Sequence, residues 1–195
     1  MKLILASTSP RRAEILRNAQ IPFEICSTNV NEDTLAGETA RAMVLRLAEA
    51  KARAALTQLG ETGGNQILIG ADTTVELNGE MFGKPEDSEH AREMLGKLGG
   101  RTHHVLTGIF LIRLPDHEVR AAVEDSAVTF APLTDREIDE YVSTGEPFGK
   151  AGGYAVQGIA GRFIPRIEGC YFNVVGLPPA RLYSLLRELG WPESG

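Results

Sequence analysis

The sequence lacks the features that would place it in a membrane or outside the cell. It contains no apolar run of about eighteen residues, so it predicts no membrane-spanning helix. Its two cysteines, Cys26 and Cys170, lie far apart and form no CxxC or Cys/His pattern, so we expect reduced, partly buried thiols. The first residues also lack the cationic segment and cleavage site of a secretory signal, and we therefore expect a cytoplasmic protein.

Several catalytic and binding classes are excluded by what is missing. There is no GxxxxGK[ST] segment, which excludes a P-loop enzyme, and no GxSxG elbow to support Ser/His/Asp hydrolysis. The pair His103-His104 has no third ligand at a suitable spacing, so we expect these histidines to be structural or exposed. The formal net charge of −6 argues against sequence-independent binding to nucleic acid, so any polyanion must meet a local cluster of Lys and Arg.

What is present is enough apolar sequence for one large domain or two small lobes. The chain has 195 residues, 43% of them hydrophobic, and no linker-like stretch or internal repeat divides it. We therefore treat 1–195 as a single domain whose lobes the sequence does not separate. Periodicity and turn signals predict helices from residue 10 and over 38–59, 88–98, 134–144 and 180–189, and strands at the start of the chain and over 21–25, 66–77, 80–82, 104–113 and 119–130.

The first stretch combines hydroxyls and arginines at the start of a helix. Pro10 suits the first helical position, which makes Ser9 the expected N-cap, with its hydroxyl accepting a backbone hydrogen bond. Arginine is disfavoured there, because the helix dipole already makes this end positive. Arg11 and Arg12 are either solvated surface charge or, as we favour, part of a polyanion site with Ser7 and Ser9.

Charged residues interrupt two segments that otherwise read as buried. Lys51 falls on the apolar stripe of the 38–59 helix, where it either extends its ammonium group to water or points into a cleft. Asp72 interrupts the apolar strand 66–77, and a buried carboxylate is costly unless something compensates it. The alternative, that Asp72 caps a turn, is weakened because the hairpin signal Asn78-Gly79 comes well after it.

Taken together, these residues suit the hydrolysis of a phosphoanhydride. Lys84 lies in a rigid Gly83-Lys84-Pro85 corner, and Glu32 lies in a polar loop. Cations would offset phosphate charge, while carboxylates hold Mg²⁺ and position or deprotonate a water.

The motifs resemble those of a known family along nearly the whole chain. The segments Ser7-Thr8-Ser9-Pro10-Arg11-Arg12, Gly70-Ala71-Asp72-Thr73, Gly83-Lys84-Pro85, Thr107-Gly108, the glycine-rich loop 150–158 and Asn173-Val174-Val175-Gly176-Leu177-Pro178 look like the Maf family of nucleoside triphosphate pyrophosphatases.

This resemblance implies a fold, a reaction and a set of roles. The fold is α/β, a mixed twisted sheet with flanking helices and two lobes around a central cleft, similar to inosine triphosphate pyrophosphatases. The reaction is cleavage between the α- and β-phosphates with Mg²⁺ or Mn²⁺, and the protein is a homodimer. By the same resemblance, Asp72 is the general base, Ser7, Ser9, Arg11, Lys51 and Lys84 bind the triphosphate, and Glu32 binds metal with Asp72.

The resemblance also implies the substrate. Members that act on dTTP and UTP have Arg, Thr and Gln at three specificity positions, here Arg12, Thr73 and Gln157. An amide such as that of Gln157 can pair with the O4/N3–H edge of uracil or thymine. The alternatives are a 7-methyl-GTP pyrophosphatase of the same family and, from another class, a nucleotide-binding regulator of cell division.

Overall fold

A computed structural model of the chain describes residues 1–60 and 64–191. Its strands are β1 (Lys2–Leu5), β2 (Glu24–Ile25), β3 (Gln66–Leu77), β4 (Glu80–Phe82), β5 (Thr102–Leu114), β6 (Val119–Thr129) and β7 (Arg166–Glu168). Its α-helices are α1 (Pro10–Asn18), α2 (Ala40–Leu59), α3 (Ser88–Leu98), α4 (Asp135–Ser143), α5 (Tyr171–Val175) and α6 (Pro179–Glu188), and two 3₁₀ turns cover Ala151–Gly153 and Ile159–Phe163.

The seven strands form one mixed sheet in the order β2-β1-β3-β5-β6-β7, with β4 paired to β3. The predicted α/β class, a mixed sheet with flanking helices, is confirmed. The contacts within the chain divide it into two compact units. Of the described residues, the first unit comprises 1–60, 64–72, 107–124 and 176–191, and the second comprises 73–106 and 125–175.

The first unit is built on three parallel strands. β1 lies between β2 and β3, with Leu5 in register with Ile25 on one side and Ile69 on the other. The inner strand β3 is apolar on both faces in its first half, as expected for a strand covered on both sides. The core of this unit is made of small and aliphatic side chains from β1, α2, β3 and β5, with Phe110: Ile4, Ala6, Ala48, Ala52, Ala55, Leu68, Phe110, Ile112 and Leu114.

The second unit has an antiparallel hairpin and a core of its own. Asn78 and Gly79 both have positive φ angles, of 54° and 86°, so the predicted tight turn between β3 and β4 is confirmed. Helix α3 packs on α4. Around them lies an aromatic-rich core: Val75, Phe82, Met94, Leu95, Leu98, Phe130, Tyr141, Tyr154 and Phe163.

One predicted strand is corrected, and two short elements were missed. The strand predicted over 21–25 is only Glu24–Ile25. The residues before β2 instead form the turn that ends α1. Gln20 has a φ of 55°, and the Ile21 amide donates to the Leu16 carbonyl. The short elements β7 and α5 were not predicted, since three to five residues show too little periodicity to be recognised.

Further features concern the cysteines, a helix cap and the apolar segments. Cys26 and Cys170 are both free thiols. Thr134 and Glu137 form the predicted capping box at the start of α4. No helix in the described part of the chain combines the length and apolar character needed to cross a bilayer.

Candidate active site

The candidate site in the first unit lies at one edge of the three parallel strands. Because β1 and β2 run parallel to β3, the segments that follow them leave the sheet at the same edge. The segment after β1 carries Ser7 to Arg12, and the loop after β2 carries Glu32. Asp72 lies on β3, three residues beyond the Ile69 that pairs with the last residue of β1. Residues from three remote parts of the sequence therefore lie at the same edge of the sheet.

Lys51 joins the two carboxylates of this edge. Its Nζ lies 2.6 Å from an oxygen of Asp72 and 2.6 Å from an oxygen of Glu32. The side chains of Lys51 and Asp72 are 10% and 11% exposed, whereas that of Glu32 is 44% exposed. A buried carboxylate beside a buried ammonium avoids the cost of an isolated charge. Of the two alternatives for Lys51, the structure shows an ammonium turned inward to a carboxylate rather than extended to water.

Two glycines allow α2 to bring Lys51 so near. A side chain at Gly70 on β3 would put its Cβ 1.9 Å from the carbonyl oxygen of Ala48, and one at Gly108 on β5 would put its Cβ 2.3 Å from that of Val44. Neither distance is possible for a real side chain. The backbone of α2 therefore lies directly on the two strands at successive turns. Lys51 comes three residues after Ala48, on the same stripe of the helix.

Arg12 is buried in the same unit and held in place by two partners. Its Nη1 donates to Ser7 Oγ at 3.2 Å, and its Nε donates to the Gly176 carbonyl at 2.8 Å. Burial lowers the pKa of Arg12 from its ordinary value, and the negative charges of Asp72 and Glu32 oppose that shift. Arg12 is therefore no solvated surface charge.

Ser9 does not cap α1 as predicted. It is the residue before the helix, but its side chain makes no capping hydrogen bond. Instead its backbone amide donates to Ser7 Oγ at 3.2 Å, so one serine hydroxyl accepts from both Ser9 and Arg12. Pro10 takes the first helical position, as predicted, where its missing amide leaves no donor unpaired. Arg11 is half-buried on the first turn, and burial lowers its pKa.

The loop that carries Glu32 is fastened to α2 by an arginine. Arg46 donates to both carboxylate oxygens of Glu38, at 2.6 and 2.7 Å, and to the carbonyl of Asp33 at 3.0 Å. Glu38 in turn accepts from the Leu35 amide at 3.2 Å. The hydrogen bonds to Arg46 lower the pKa of Glu38, which keeps this pair charged. The pair holds the segment next to Glu32 against the helix.

Within the described residues, no cluster of three or more His, Cys, Asp or Glu side chains could hold a metal ion. The carboxylates of Asp72 and Glu32 do converge, since both contact the same ammonium group. Mg²⁺ is commonly held in enzymes by one or two carboxylates together with substrate phosphates. The donor set of this pair therefore suits such an ion when a phosphate supplies the remaining oxygens.

The remaining predicted site residues belong to the second unit. Thr73 directly follows Asp72 in the chain and is partly buried, whereas Lys84 and Gln157 are exposed. The corner that carries Lys84 is tied to the glycine-rich loop, because the Gly152 amide donates to the Gly83 carbonyl at 3.0 Å. Gly152 has a φ of 70°, and a Cβ there would lie 2.9 Å from a methyl group of Val75. Glycine is therefore required where this loop meets β3.

Comparison with known proteins agrees with these features. The family model described as "Maf-like protein" matches residues 2–189. The chain belongs to the Maf family.

Relatives of this Maf chain carry a shared name. A dTTP/UTP pyrophosphatase of Carboxydothermus hydrogenoformans is 45% identical over 191 residues, which is 98% of this chain and 100% of the relative. A dTTP/UTP pyrophosphatase of an Anaeromyxobacter species is 46% identical and spans 98% of this chain and 91% of its own length. A dTTP/UTP pyrophosphatase of Clostridioides difficile is 43% identical and spans 96% of this chain and 95% of its own length.

Two solved structures are similar to this Maf chain at a lower level. The Ham1 protein of Staphylococcus aureus is 20% identical, with a TM-score of 0.46, over 67% of this chain and 72% of its own. A nucleoside-triphosphatase, dITP/XTP pyrophosphatase, of Mycobacterium abscessus is 16% identical, with a TM-score of 0.41. The match covers 97% of this chain and 98% of that protein's chain. Likeness of this degree carries no argument about activity.

The sequence patterns identified the charged residues of the candidate site in this Maf chain, but they missed the residues that hold those side chains in position. Arg46 was not singled out, because no pattern along the sequence links it to the Glu32 loop. The Gly70-Ala71-Asp72 and Thr107-Gly108 segments did signal the two glycines, but only as family motifs. A glycine inside an otherwise apolar strand is the signal that could have predicted the close approach of a helix.

Proposed function

We propose that this protein hydrolyses dTTP and UTP to the nucleoside monophosphate and pyrophosphate. The observation that carries the proposal is the Lys51 ammonium group, held 2.6 Å from both Asp72 and Glu32. Buried Arg12 adds a second cation to the same unit. A carboxylate beside several cations is the arrangement that attack on a phosphate requires, because the cations offset phosphate charge and the carboxylate takes a proton. The names of the Maf relatives support the reaction and the substrate.

In the proposed reaction Asp72 is the general base. Its carboxylate accepts a proton from a water molecule as that water attacks the α-phosphorus. The bond between the α-phosphorus and the bridging oxygen breaks, and pyrophosphate leaves with that oxygen and its electron pair. Lys51, Arg11 and Lys84 bind phosphate oxygens, while Ser7 and Ser9 contribute hydroxyl or amide donors at the start of α1.

A divalent cation, Mg²⁺ or Mn²⁺, would be held by Asp72 and Glu32. When bound, it would supply positive charge against the phosphates and lower the pKa of a water molecule. Lys51 now contacts the same two carboxylates, so its ammonium group must share them with that ion or turn to the phosphates. Its flexible four-carbon chain permits such a turn.

The identity of the nucleobase is the more specific part of the proposal. We assign pyrimidine recognition to Arg12, Thr73 and Gln157, with the Gln157 amide pairing with the O4/N3–H edge of uracil or thymine. A site built on such paired groups can discriminate strongly, because a wrong base leaves polar groups unsatisfied. The alternative, hydrolysis of 7-methyl-GTP, is tested by including that nucleotide in the substrate panel.

The experiment compares Asp72→Asn with Asp33→Asn, a matched change of an exposed carboxylate next to Glu32. The proteins are incubated with UTP and Mg²⁺, and UMP with pyrophosphate is separated from UDP with phosphate. We expect the wild type and Asp33→Asn to form UMP and pyrophosphate. We expect Asp72→Asn to lose roughly a hundredfold to ten-thousandfold in kcat, with KM within a few-fold. UDP as the product, or retained turnover in Asp72→Asn, would refute the proposal.

Three further assignments rest on the resemblance. We expect residues 1–195 to act as one catalytic domain with two lobes, to form a homodimer and to work in the cytoplasm. Light scattering of the purified protein measures the second of these, and a monomeric mass at micromolar concentration would contradict it.

A further inference from the structure

The segment around Gln157 is a tight turn. The Gly158 amide donates to the Ala155 carbonyl at 3.0 Å, so Val156 and Gln157 are the two central residues of the turn. Gln157 is exposed at its tip. The direction of the Gln157 amide therefore depends on what holds the two ends of the turn.

Both ends are held from the end of α4 by one carboxylate and one phenol. After the turn, the Ile159 amide donates to Glu146 Oε2 at 3.0 Å, and the Ala160 amide donates to Glu146 Oε1 at 3.2 Å. At the start of the turn, the Ala155 amide donates to the Tyr141 hydroxyl at 3.3 Å. That hydroxyl in turn donates to Glu146 Oε1 at 2.9 Å. Glu146 thus fixes one end directly and the other through Tyr141.

The sequence of the turn is adapted to this carboxylate. A side chain at Gly158 would put its Cβ 2.3 Å from Glu146 Oε2, although the φ of Gly158 is ordinary for any residue. Glycine at this position therefore leaves room for the Glu146 carboxylate, which a larger residue would displace. Desolvation opposes ionisation of Glu146, but the amides of Ile159 and Ala160, the Tyr141 hydroxyl and the charge of Lys150 outweigh it and lower the pKa.

We infer that Glu146 is a positioning residue for base selectivity: it holds the turn so that the Gln157 amide meets the pyrimidine edge in one orientation. The inference rests on the proposed function, in which Gln157 recognises the base. Glu146 acts through the turn and does not itself touch the substrate.

The test is Glu146→Gln, which keeps the size of the side chain but replaces one acceptor oxygen with an NH₂ group facing a backbone amide. We expect kcat/KM for UTP, relative to CTP and GTP, to fall about tenfold through KM, since loss of one charge-assisted hydrogen bond is worth about that factor. We expect kcat for UTP to change by about twofold at most, because Asp72, Glu32 and Lys51 belong to the other unit. Glu140→Gln is the matched control, since this α4 carboxylate is exposed and, among the described residues, pairs with Arg136 alone.

A second variant disturbs the contact between Glu146 and the turn by changing a residue of the turn instead of the carboxylate. Gly158→Ala pushes the Glu146 carboxylate off its amides without altering any charge, and we expect it to lower selectivity in the same direction. Unchanged selectivity in both variants, with or without a lower melting temperature, would overturn the inference, because a purely structural role affects stability alone.

The failure of the inference and that of the proposed function can be told apart. In a Gln157→Ala background, Glu146→Gln should change selectivity no further, since the amide it orients is gone. Loss of selectivity in Gln157→Ala but in neither Glu146→Gln nor Gly158→Ala overturns only the role of Glu146. Unchanged selectivity in Gln157→Ala overturns base recognition by Gln157, and the role of Glu146 with it.

Discussion

Replacing Gly70 with alanine should disturb the fold and the active site together. The added Cβ would lie 1.9 Å from the Ala48 carbonyl oxygen and 2.9 Å from the Ala52 amide nitrogen. Both are backbone atoms of α2, so no side-chain rotation relieves the clash. Ordinary contact begins near 3.4 Å, so α2 must retreat from β3 by about 1.5 Å.

Two magnitudes follow from that displacement. Overpacking of a tight core costs typically about 1–3 kcal/mol, and we expect about 3 kcal/mol because backbone must move. The same displacement stretches the 2.6 Å contact between Lys51 and Asp72 beyond hydrogen-bond length. A misplacement of about 1 Å at a reacting group can cost about a hundredfold in rate, so we expect a loss of that order in kcat for UTP.

The assay is urea unfolding followed by circular dichroism, with UTP hydrolysis measured on the folded fraction. Gly96→Ala is the matched control, because Gly96 is exposed on α3 and a Cβ there meets nothing within 4 Å. That variant should gain about 0.5–1 kcal/mol from helix propensity. Wild-type stability in Gly70→Ala would refute the reasoning, as would lost activity in Gly96→Ala.

Three further predictions concern particular side chains. Burial lowers the pKa of His103 to about 4 from 6.5, so the unfolded chain takes up its proton first. Stability should therefore fall by up to about 3 kcal/mol as pH drops from 6.5 to 4. His103→Phe should flatten this part of the urea-midpoint profile, and an unchanged slope would contradict the assignment. Thr134→Ala removes the cap of α4 and should cost about 1 kcal/mol in urea unfolding, whereas no change would show that the capping box contributes nothing. Lys51→Met removes the ammonium shared by Asp72 and Glu32, and kcat for UTP should fall about a hundredfold or more; near-normal turnover would exclude Lys51 from the reaction.

Local features of the fold could be predicted where the signal lies within a few residues. β3 and α3 were predicted with their observed bounds. Strand alternation, the Asn78-Gly79 turn and the Thr134 capping box each depend on neighbours along the chain. The predicted Ser9 cap was wrong, since the Ser9 side chain makes no capping hydrogen bond and only its backbone amide is bonded locally, to the Ser7 hydroxyl.

By itself the sequence determined that Asp72 and Lys51 place charge in otherwise apolar segments, and that a buried Asp72 would need a partner. It left open whether Lys51 and Arg12 are solvated or face a binding site. Only the tertiary structure decided that all three are buried and which partners they meet. Lys51 meets Asp72 across 21 positions of the chain, and Arg12 meets the Gly176 carbonyl across 164. The Lys51 pair forms because parallel strands end at a common edge and glycines let α2 lie on the sheet. No periodicity along the chain encodes either distance.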